Sequence, residues 1–193
     1  MTNHAPIWVV AGPPGSGKTT VANALLSVMS PVPALLDKDT MYSGFVTAIL
    51  AQANKPIGER EGPWYDEHIK LYEYTGMTAV AEEISSKGCP VLLSAPFTKQ
   101  IHDLITWNTW VNQLGGGLVR LVWVRSDSDS LRRNILRRKS ERDSMKLANF
   151  ENFIKYMQLD KEPVVDHITI DNRLSAQKSL ETQIKELLPE LIK

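Results

Sequence analysis

A glycine-rich stretch near the N-terminus combines residue types that bind phosphate. Residues 12–19 read GPPGSGKT and match the pattern G-x-x-x-x-G-K-[ST] at every specified position. Glycines let backbone N–H groups approach phosphate oxygens without a Cβ in the way, Lys18 supplies a mobile charge for the β- and γ-phosphates, and Thr19 supplies a hydroxyl ligand for Mg²⁺. The stretch predicts an ATP site with Lys18 in a catalytic role, and its nucleotide-contacting residues are Gly12, Gly15, Ser16, Gly17, Lys18, Thr19 and Thr20.

Two carboxylates follow the next apolar run, in the sequence Asp37-Lys38-Asp39. At the end of a neighbouring parallel strand they would lie across a crevice from phosphates bound at Lys18. A carboxylate there can accept a proton from a substrate hydroxyl, orient that oxygen for in-line attack, or hold Mg²⁺. We expect Asp37 to be the catalytic base and Asp39 to contact Mg²⁺ or substrate. For Asp39 an alternative stays open, because it is also placed to cap a helix that starts at Thr40.

A basic segment follows the fourth apolar run. Leu131, Ile135, Arg138 and Arg142 share one narrow stripe of a helix, with the spacing i, i+4, i+7 and i+11. A face that starts apolar and ends with two arginines suits a helix that leaves the core and extends over a polyphosphate. We therefore expect Arg138 and Arg142 to be catalytic and to stabilise charge on the transferring phosphoryl group. The other arginines of the segment lie off the stripe and are predicted to be solvated: Arg132, Arg133 and Arg137.

Short β-branched runs that alternate with longer amphipathic runs must position these groups. Apolar strands separated by helices predict a parallel sheet covered on both faces, and such sheets bind ligands beyond the carboxyl ends of their strands. The predicted strands are residues 7–12, 32–37, 90–97, 118–126 and 167–172. The predicted helices follow the glycine-rich loop and cover residues 99–113, 127–138, 146–158 and 176–188, with a helical pattern over 40–87 that is broken within 54–64.

The composition restricts the possible classes of protein. A chain of 193 residues suits a single domain with an insert. Its 22 basic residues balance 22 acidic residues, so we expect no nucleic-acid partner, no membrane partner and only a local anion site. The single cysteine, Cys89, excludes an intramolecular disulfide. No apolar run approaches the roughly 20 residues of a membrane span, and we expect a cytoplasmic protein.

These residues resemble the small P-loop kinases, a group that includes gluconate, shikimate and adenylate kinases, chloramphenicol phosphotransferase, the zeta toxins and many bacterial kinase-like ATP-binding proteins. The resemblance rests on the P-loop, on Asp-x-Asp at the second strand, and on residues 138–147, RKSERDSMKL, which are similar to an Arg-x-x-x-Arg-Asp-x-x-Lys-Leu lid. It implies a P-loop NTPase α/β fold with a five-stranded parallel sheet of order 2-3-1-4-5 and helices on both faces. It also implies one domain over residues 1–193, a substrate-binding helical insert at about residues 40–87 and a mobile lid at about 138–147.

The sequence departs from this group at two positions. Ser94 stands where many relatives carry an aspartate at the end of the third strand, which leaves Mg²⁺ to Asp37 or Asp39. Asn134 stands where the lid helix usually carries an arginine. The insert should shape the acceptor pocket, and its candidate substrate residues, together with Asp39, are Arg60, Trp64, Tyr65, His68 and Tyr72. Packing would equally explain Trp64, His68 and Tyr72, which are spaced four residues apart.

We therefore expect an ATP- and Mg²⁺-dependent phosphotransferase that transfers the γ-phosphate to a hydroxyl of a small molecule. One alternative is an ATP-binding switch or slow ATPase without an acceptor, and another is a polynucleotide or nucleotide kinase. The balanced charge and the lack of a long basic face speak against a polynucleotide acceptor. The lack of a guanine-reading Asn-Lys-x-Asp motif disfavours a GTPase.

Overall fold

The computed structural model describes residues 4–157 and 159–191. Over these ranges, five parallel strands form one sheet in the order β2-β3-β1-β4-β5, which confirms the predicted fold class and strand order. All five predicted strands are present, and each is somewhat shorter than predicted. They are β1 (Ile7–Ala11), β2 (Ala34–Asp37), β3 (Val91–Ser94), β4 (Val119–Arg125) and β5 (His167–Asp171).

The central strand β1 is buried on both faces. It pairs with β3 on one side and with β4 on the other. Val9 belongs to a core cluster that contains Met77 and Trp110, whereas the next residue, Val10, belongs to a second cluster that contains Leu25. Successive side chains of a strand point to opposite faces of its sheet, so a strand covered on both faces reads as a continuous apolar run.

The helices differ from the predicted ones mainly at their ends. The predicted helix over 99–113 is two helices, because Asp103 begins the second one by accepting a hydrogen bond from the N–H of Thr106 at 2.7 Å. The predicted helix over 146–158 is also two helices, and residue 158 lies outside the described residues. No helix within the described ranges is long and apolar enough to cross a bilayer, and the cytoplasmic location stays a prediction. The helices are α1 (Lys18–Leu26), α2 (Lys38–Gln52), α3 (Pro63–Tyr65), α4 (Leu71–Ser86), α5 (Thr98–Ile101), α6 (Leu104–Gln113), α7 (Ser128–Arg138), α8 (Ser144–Ala148), α9 (Phe150–Met157) and α10 (Leu180–Leu191).

The insert, defined here as residues 38–86, has a small core of its own. A π-helix (Asp66–Lys70) joins α3 to α4, so the chain is helical from residue 63 to residue 86. The wider π turn adds residues to the helical repeat, which keeps Tyr65, Ile69 and Glu73 on one buried side at a spacing of four. This side turns Tyr65 and Glu73 toward the end of the sheet where the candidate site lies.

Candidate active site

Glycines with positive φ shape the loop between β1 and α1. The φ angles are 152° at Gly12, 88° at Gly15 and 93° at Gly17. A Cβ on Gly12 would lie 2.8 Å from the carbonyl oxygen of Val124, and a Cβ on Gly15 would lie 2.8 Å from Cγ1 of Ile135. Both positions therefore require glycine for backbone conformation and for space.

Two asparagine side chains brace this loop. The Nδ2 of Asn134 donates to the carbonyl oxygen of Gly15 at 2.9 Å, and the Nδ2 of Asn172 donates to the carbonyl oxygen of Ser16 at 2.6 Å. The buried hydroxyl of Ser16 has no partner among the described residues, and α1 begins directly after the loop. A glycine cradle that ends at a helix N-terminus is suited to an anionic phosphate chain, so these residues fit a nucleotide.

Lys18 is the first residue of α1, and its Nζ donates back to the carbonyl oxygen of Pro13 in the loop at 3.0 Å. Burial lowers the pKa of Lys18 to about 8, against the opposing effect of Asp39 and Asp37. The charged form of Lys18 is therefore destabilised, and an anion bound at the loop would stabilise that form.

The carboxylate of Asp37 caps α2. Its Oδ1 accepts hydrogen bonds from the N–H of Thr40 at 2.9 Å and from the hydroxyl of Thr40 at 3.1 Å. The alternative that Asp39 caps a helix starting at Thr40 is wrong, because α2 begins at Lys38 and Asp37 is its N-cap. Asp37 also pairs in register with Ser94. The hydroxyl of Ser94 is buried and has no hydrogen-bond partner among the described residues, and both side chains line the cavity described below.

Asp39 lies among cations. Its Oδ2 is 2.9 Å from Nη1 of Arg142, and its Oδ1 is 3.7 Å from Nζ of Lys38. Burial alone would raise the pKa of Asp39, but Lys38, Arg142 and Lys18 outweigh that effect, and the pKa is lowered. The carboxylate is therefore ionised and is held between the end of β2 and the segment that carries Arg142.

A buried aspartate organises the lid, defined here as residues 138–147. Arg138 donates to Asp143 with both arms of its guanidinium, from Nε at 2.8 Å and from Nη2 at 2.9 Å, and Asp143 is fully buried. Lys146 adds a cation at 3.5 Å from the same carboxylate. The predicted continuous stripe through Arg142 is wrong, because α7 ends at Arg138 and Lys139 takes a left-handed φ of 50°. Arg142 reaches Asp39 from a short 3₁₀ turn (Glu141–Asp143) instead.

A second buried carboxylate lies on the insert side. Glu73 is 3% exposed, and it accepts hydrogen bonds from Nζ of Lys38 at 2.8 Å and from the hydroxyl of Tyr65 at 2.9 Å. Burial, followed by the charge of Glu73, raises the pKa of Tyr65. Glu73 therefore fixes the start of α2, next to Asp39. Sequence reasoning missed Glu73, because its cationic partner lies 35 positions away in the chain.

These groups line one cavity of about 1290 Å³. Eleven lysine and arginine residues line it, but only six aspartate and glutamate residues, so it gathers positive charge in a chain that is neutral overall. Two of the predicted insert residues line this cavity, Arg60 and Tyr65. The other three do not: Trp64, His68 and Tyr72. The rings of Trp64 and His68 stack on each other instead, with their centroids 4.8 Å apart. Two arginines that were predicted to be solvated, Arg133 and Arg137, also line the cavity from exposed positions on α7. The predicted site residues that line the cavity are Gly15, Gly17, Lys18, Thr19, Thr20, Asp37, Asp39, Arg60, Arg138 and Arg142.

No cluster of three or more His, Cys, Asp or Glu side chains in the described part of the chain is arranged as a metal site. Mg²⁺ in phosphoryl-transfer sites keeps several waters and takes only one or two carboxylates together with phosphate oxygens. The hydroxyl of Thr19 and the carboxylates at the end of β2 line the cavity on the side of Lys18. This set of oxygen ligands fits Mg²⁺ alongside a nucleotide.

Comparison with known proteins places the chain in a family. The AAA domain family model matches residues 7–159, most of the chain, while no curated protein sequence matches it. A sugar kinase from Janibacter sp. shares 16% identity at a TM-score of 0.62, covering 97% of this chain and 94% of that one. The Mycobacterium tuberculosis APS kinase in complex with AMPPNP and APS shares 15% identity at a TM-score of 0.60, covering 99% of each chain. The Acinetobacter baumannii shikimate kinase in complex with shikimate shares 20% identity at a TM-score of 0.55, covering 98% of this chain and 94% of that one.

At such low identities these likenesses establish the fold alone, and they agree with the strand order of the sheet. The family match also establishes the family of the chain, because it covers most of the sequence, including the P-loop, the insert and the lid. The chain therefore belongs to the AAA domain family and has the fold of the small P-loop kinases.

Proposed function

We propose that the protein is an ATP- and Mg²⁺-dependent phosphotransferase that phosphorylates a hydroxyl of a small molecule. One observation carries the proposal: the P-loop, the two carboxylates at the end of β2 and the two lid arginines line a single cavity. Its volume of about 1290 Å³ exceeds the roughly 300–1,000 Å³ of a pocket for one small ligand, so it has room for a donor and an acceptor. The APS kinase and the shikimate kinase compared above were solved with small molecules, which supports an acceptor of this size.

The donor half consists of the P-loop and α1. The backbone of the loop and Lys18 bind the phosphates, and Asn134 and Asn172 hold the loop in its binding conformation. Thr19 and Asp37 are the groups that would hold Mg²⁺, since Oδ2 of Asp37 is not used in the helix cap. The bound ion supplies charge neutralisation and orientation of the phosphates.

The acceptor half centres on Asp39. We assign the role of base to Asp39 rather than to Asp37, because Asp37 caps α2 and is assigned to Mg²⁺, whereas Asp39 has a 46% exposed side chain whose ion pair with Arg142 can be exchanged. In the reaction, the acceptor oxygen bonds to the γ-phosphorus, the bond from that phosphorus to the β,γ-bridging oxygen breaks, ADP leaves, and the hydroxyl proton passes to Asp39. Its lowered pKa makes Asp39 a weak base, which suits a loose transition state in which orientation of the hydroxyl matters most.

The lid arginines act on the transferred group. Asp143 holds Arg138 in a fixed plane, so that its remaining N–H groups can stabilise charge on the phosphoryl oxygens. Arg142 is bound to Asp39, and it would exchange that carboxylate for phosphate oxygens when both substrates are present. Closure of the lid over the cavity would exclude water and limit ATP hydrolysis.

A screen of hydroxyl compounds for accelerated ADP release tests this proposal. We expect one class of compound to accelerate turnover and Lys18→Ala to abolish it. If no compound accelerates turnover, the protein is a switch or slow ATPase, and if only 5′-hydroxyl oligonucleotides do so, it is a polynucleotide kinase.

A matched pair of variants tests the two aspartates. Asparagine caps helices as well as aspartate does, so Asp37→Asn should keep the fold and raise the Mg²⁺ requirement. Asp39→Asn should lower kcat by roughly 10²- to 10⁴-fold without changing the Mg²⁺ requirement. The reverse pattern would return the role of base to Asp37.

A further inference from the structure

Arg60 differs from the other half-buried cations on the acceptor side of the cavity. Lys38 is bound to Glu73, and Arg142 is bound to Asp39. Arg60 forms no ion pair with any residue in the described part of the chain, although it is half-buried and lines the same cavity. Its charge is therefore not compensated by a carboxylate.

Neutral oxygens hold the guanidinium of Arg60 in place. Its Nε donates to the carbonyl oxygen of Ile57 at 3.2 Å, and its Nη2 donates to the hydroxyl of Thr47 at 3.0 Å. The hydroxyl of Thr47 in turn donates to the carbonyl oxygen of Ser43 at 2.8 Å, which fixes its orientation on α2. These bonds orient the guanidinium without neutralising it, and its Nη1 makes no hydrogen bond with a described residue. An oriented arginine with free donors matches the geometry of a carboxylate or phosphate.

Arg60 lies where the insert meets the lid. A Cβ on the nearby Gly58 would lie 3.0 Å from Oγ of Ser144 in α8, and Glu61 lies 3.7 Å from Nζ of Lys146. On the other side, Tyr65 and Asp39 line the same cavity as Arg60. The proposed base and the uncompensated guanidinium therefore line one cavity, so a single acceptor can contact both.

We propose that the acceptor is an anionic hydroxyl compound, whose carboxylate or phosphate binds Arg60 while its hydroxyl lies at Asp39. This inference rests on the proposed phosphotransferase function and specifies the chemical class of its substrate. The guanidinium supplies a charge-assisted pair of hydrogen bonds, and the neutral acceptors of Arg60 leave this position open to a substrate anion. A neutral acceptor would leave the charge of Arg60 unpaired in the closed site.

The test uses matched pairs of probes with the full chain. Phosphoryl transfer from ATP is measured with gluconate and sorbitol, with shikimate and its methyl ester, and with glucose 6-phosphate and glucose. Heat of binding to the protein saturated with AMPPNP and Mg²⁺ is measured for the same pairs. We expect binding and turnover only with the anionic member of a pair, and the first two pairs separate carboxylate recognition from the phosphate recognition tested by the third.

Variants of Arg60 then identify the residue that reads the anion. Arg60→Gln should raise the KM for the anionic acceptor by roughly 10- to 100-fold and leave the KM for ATP unchanged, whereas Arg60→Lys should recover part of the loss because it keeps the charge. Arg132→Gln is the control, since Arg132 is exposed and does not line the cavity. Unchanged binding of AMPPNP shows that each variant is folded.

The outcomes separate this inference from the proposed function. Turnover with a neutral probe, or with an anionic probe at a KM that Arg60→Gln does not change, overturns the anionic subsite while the phosphotransferase stands. Failure of all six probes to bind contradicts the inference, and failure of the wider hydroxyl screen contradicts the proposed function itself.

Discussion

Lys18 should take up a proton when nucleotide binds. Burial lowers its pKa to about 8 in the free protein, and phosphates beside the ammonium should restore the pKa to its ordinary value of 10.5 or above. At pH 8 about half of the free protein would then carry neutral Lys18, and binding would take up about half a proton. At pH 9 the uptake would rise to about 0.9 proton, and at pH 7 it would fall to about 0.1. The sign follows from the lowered pKa, because the bound state holds the proton up to a higher pH than the free state.

The difference in the pKa of Lys18 between the free and the nucleotide-bound protein also predicts how the affinity for nucleotide depends on pH. The protonated fraction of Lys18 falls about tenfold between pH 7 and pH 9, so affinity for AMPPNP should also fall about tenfold, or about 1.4 kcal/mol. Few other groups compete in this range, because no histidine or cysteine within the described residues lines the cavity.

Isothermal titration of AMPPNP with Mg²⁺ measures this uptake directly. Titrations at pH 8 and pH 9 in two buffers of different ionisation enthalpy give the number of protons bound, and the nucleotide phosphates are already deprotonated at these values. Lys18→Arg is the control, since arginine stays charged and its uptake should vanish. An uptake that does not rise from pH 8 to pH 9, or that persists in the arginine variant, would refute the reasoning.

Three further predictions concern the loop and the lid. Asp143→Asn leaves Arg138 and Lys146 beside a neutral group, and we expect the free energy of unfolding, measured with urea, to fall by about 2–3 kcal/mol. The exposed control Asp160→Asn should change the free energy of unfolding by no more than about 0.5 kcal/mol. Equal losses in the two variants would contradict the buried network. Gly15→Ala should abolish nucleotide binding, because its Cβ meets α7 at 2.8 Å, whereas Gly44→Ala, with open space around it in α2, should leave binding unchanged and raise the melting temperature. Asn134→Ala should weaken AMPPNP binding roughly fivefold in a calorimetric titration, because the carbonyl oxygen of Gly15 loses its hydrogen bond. An unchanged affinity would show that Asn134 does not support the loop.

Local signals in the sequence predicted most of the fold. The strands are nearly continuous apolar runs, and their alternation with helical segments was sufficient to predict the parallel sheet. The P-loop was equally accessible, because its glycines, Lys18 and Thr19 are contiguous in the chain. Helix ends were less predictable, since a single cap at Asp103 or a left-handed residue at Lys139 decides them.

The charged network of the site was not predictable in the same way. The ion pair of Lys38 with Glu73 and that of Asp39 with Arg142 join residues far apart in the sequence, and periodicity carries no information about such pairs. Asn172 could have been identified from the sequence, because it directly follows β5 and parallel sheets bind ligands at the carboxyl ends of their strands. Which aspartate caps α2 depended on where this helix begins, and that start differs by two residues from the start considered for Asp39.

If the proposed acceptor binds at Asp39, the ion pair between Arg142 and Asp39 makes the lid its internal competitor. A side chain tethered a short distance away acts at an effective concentration in the millimolar range or above, so Arg142 would compete with the proposed acceptor hydroxyl for Oδ2 of Asp39. Salt weakens such a pair when it is partly exposed, and the side chain of Asp39 is 46% exposed. Moderate ionic strength should therefore weaken this ion pair and lower the competition at Asp39.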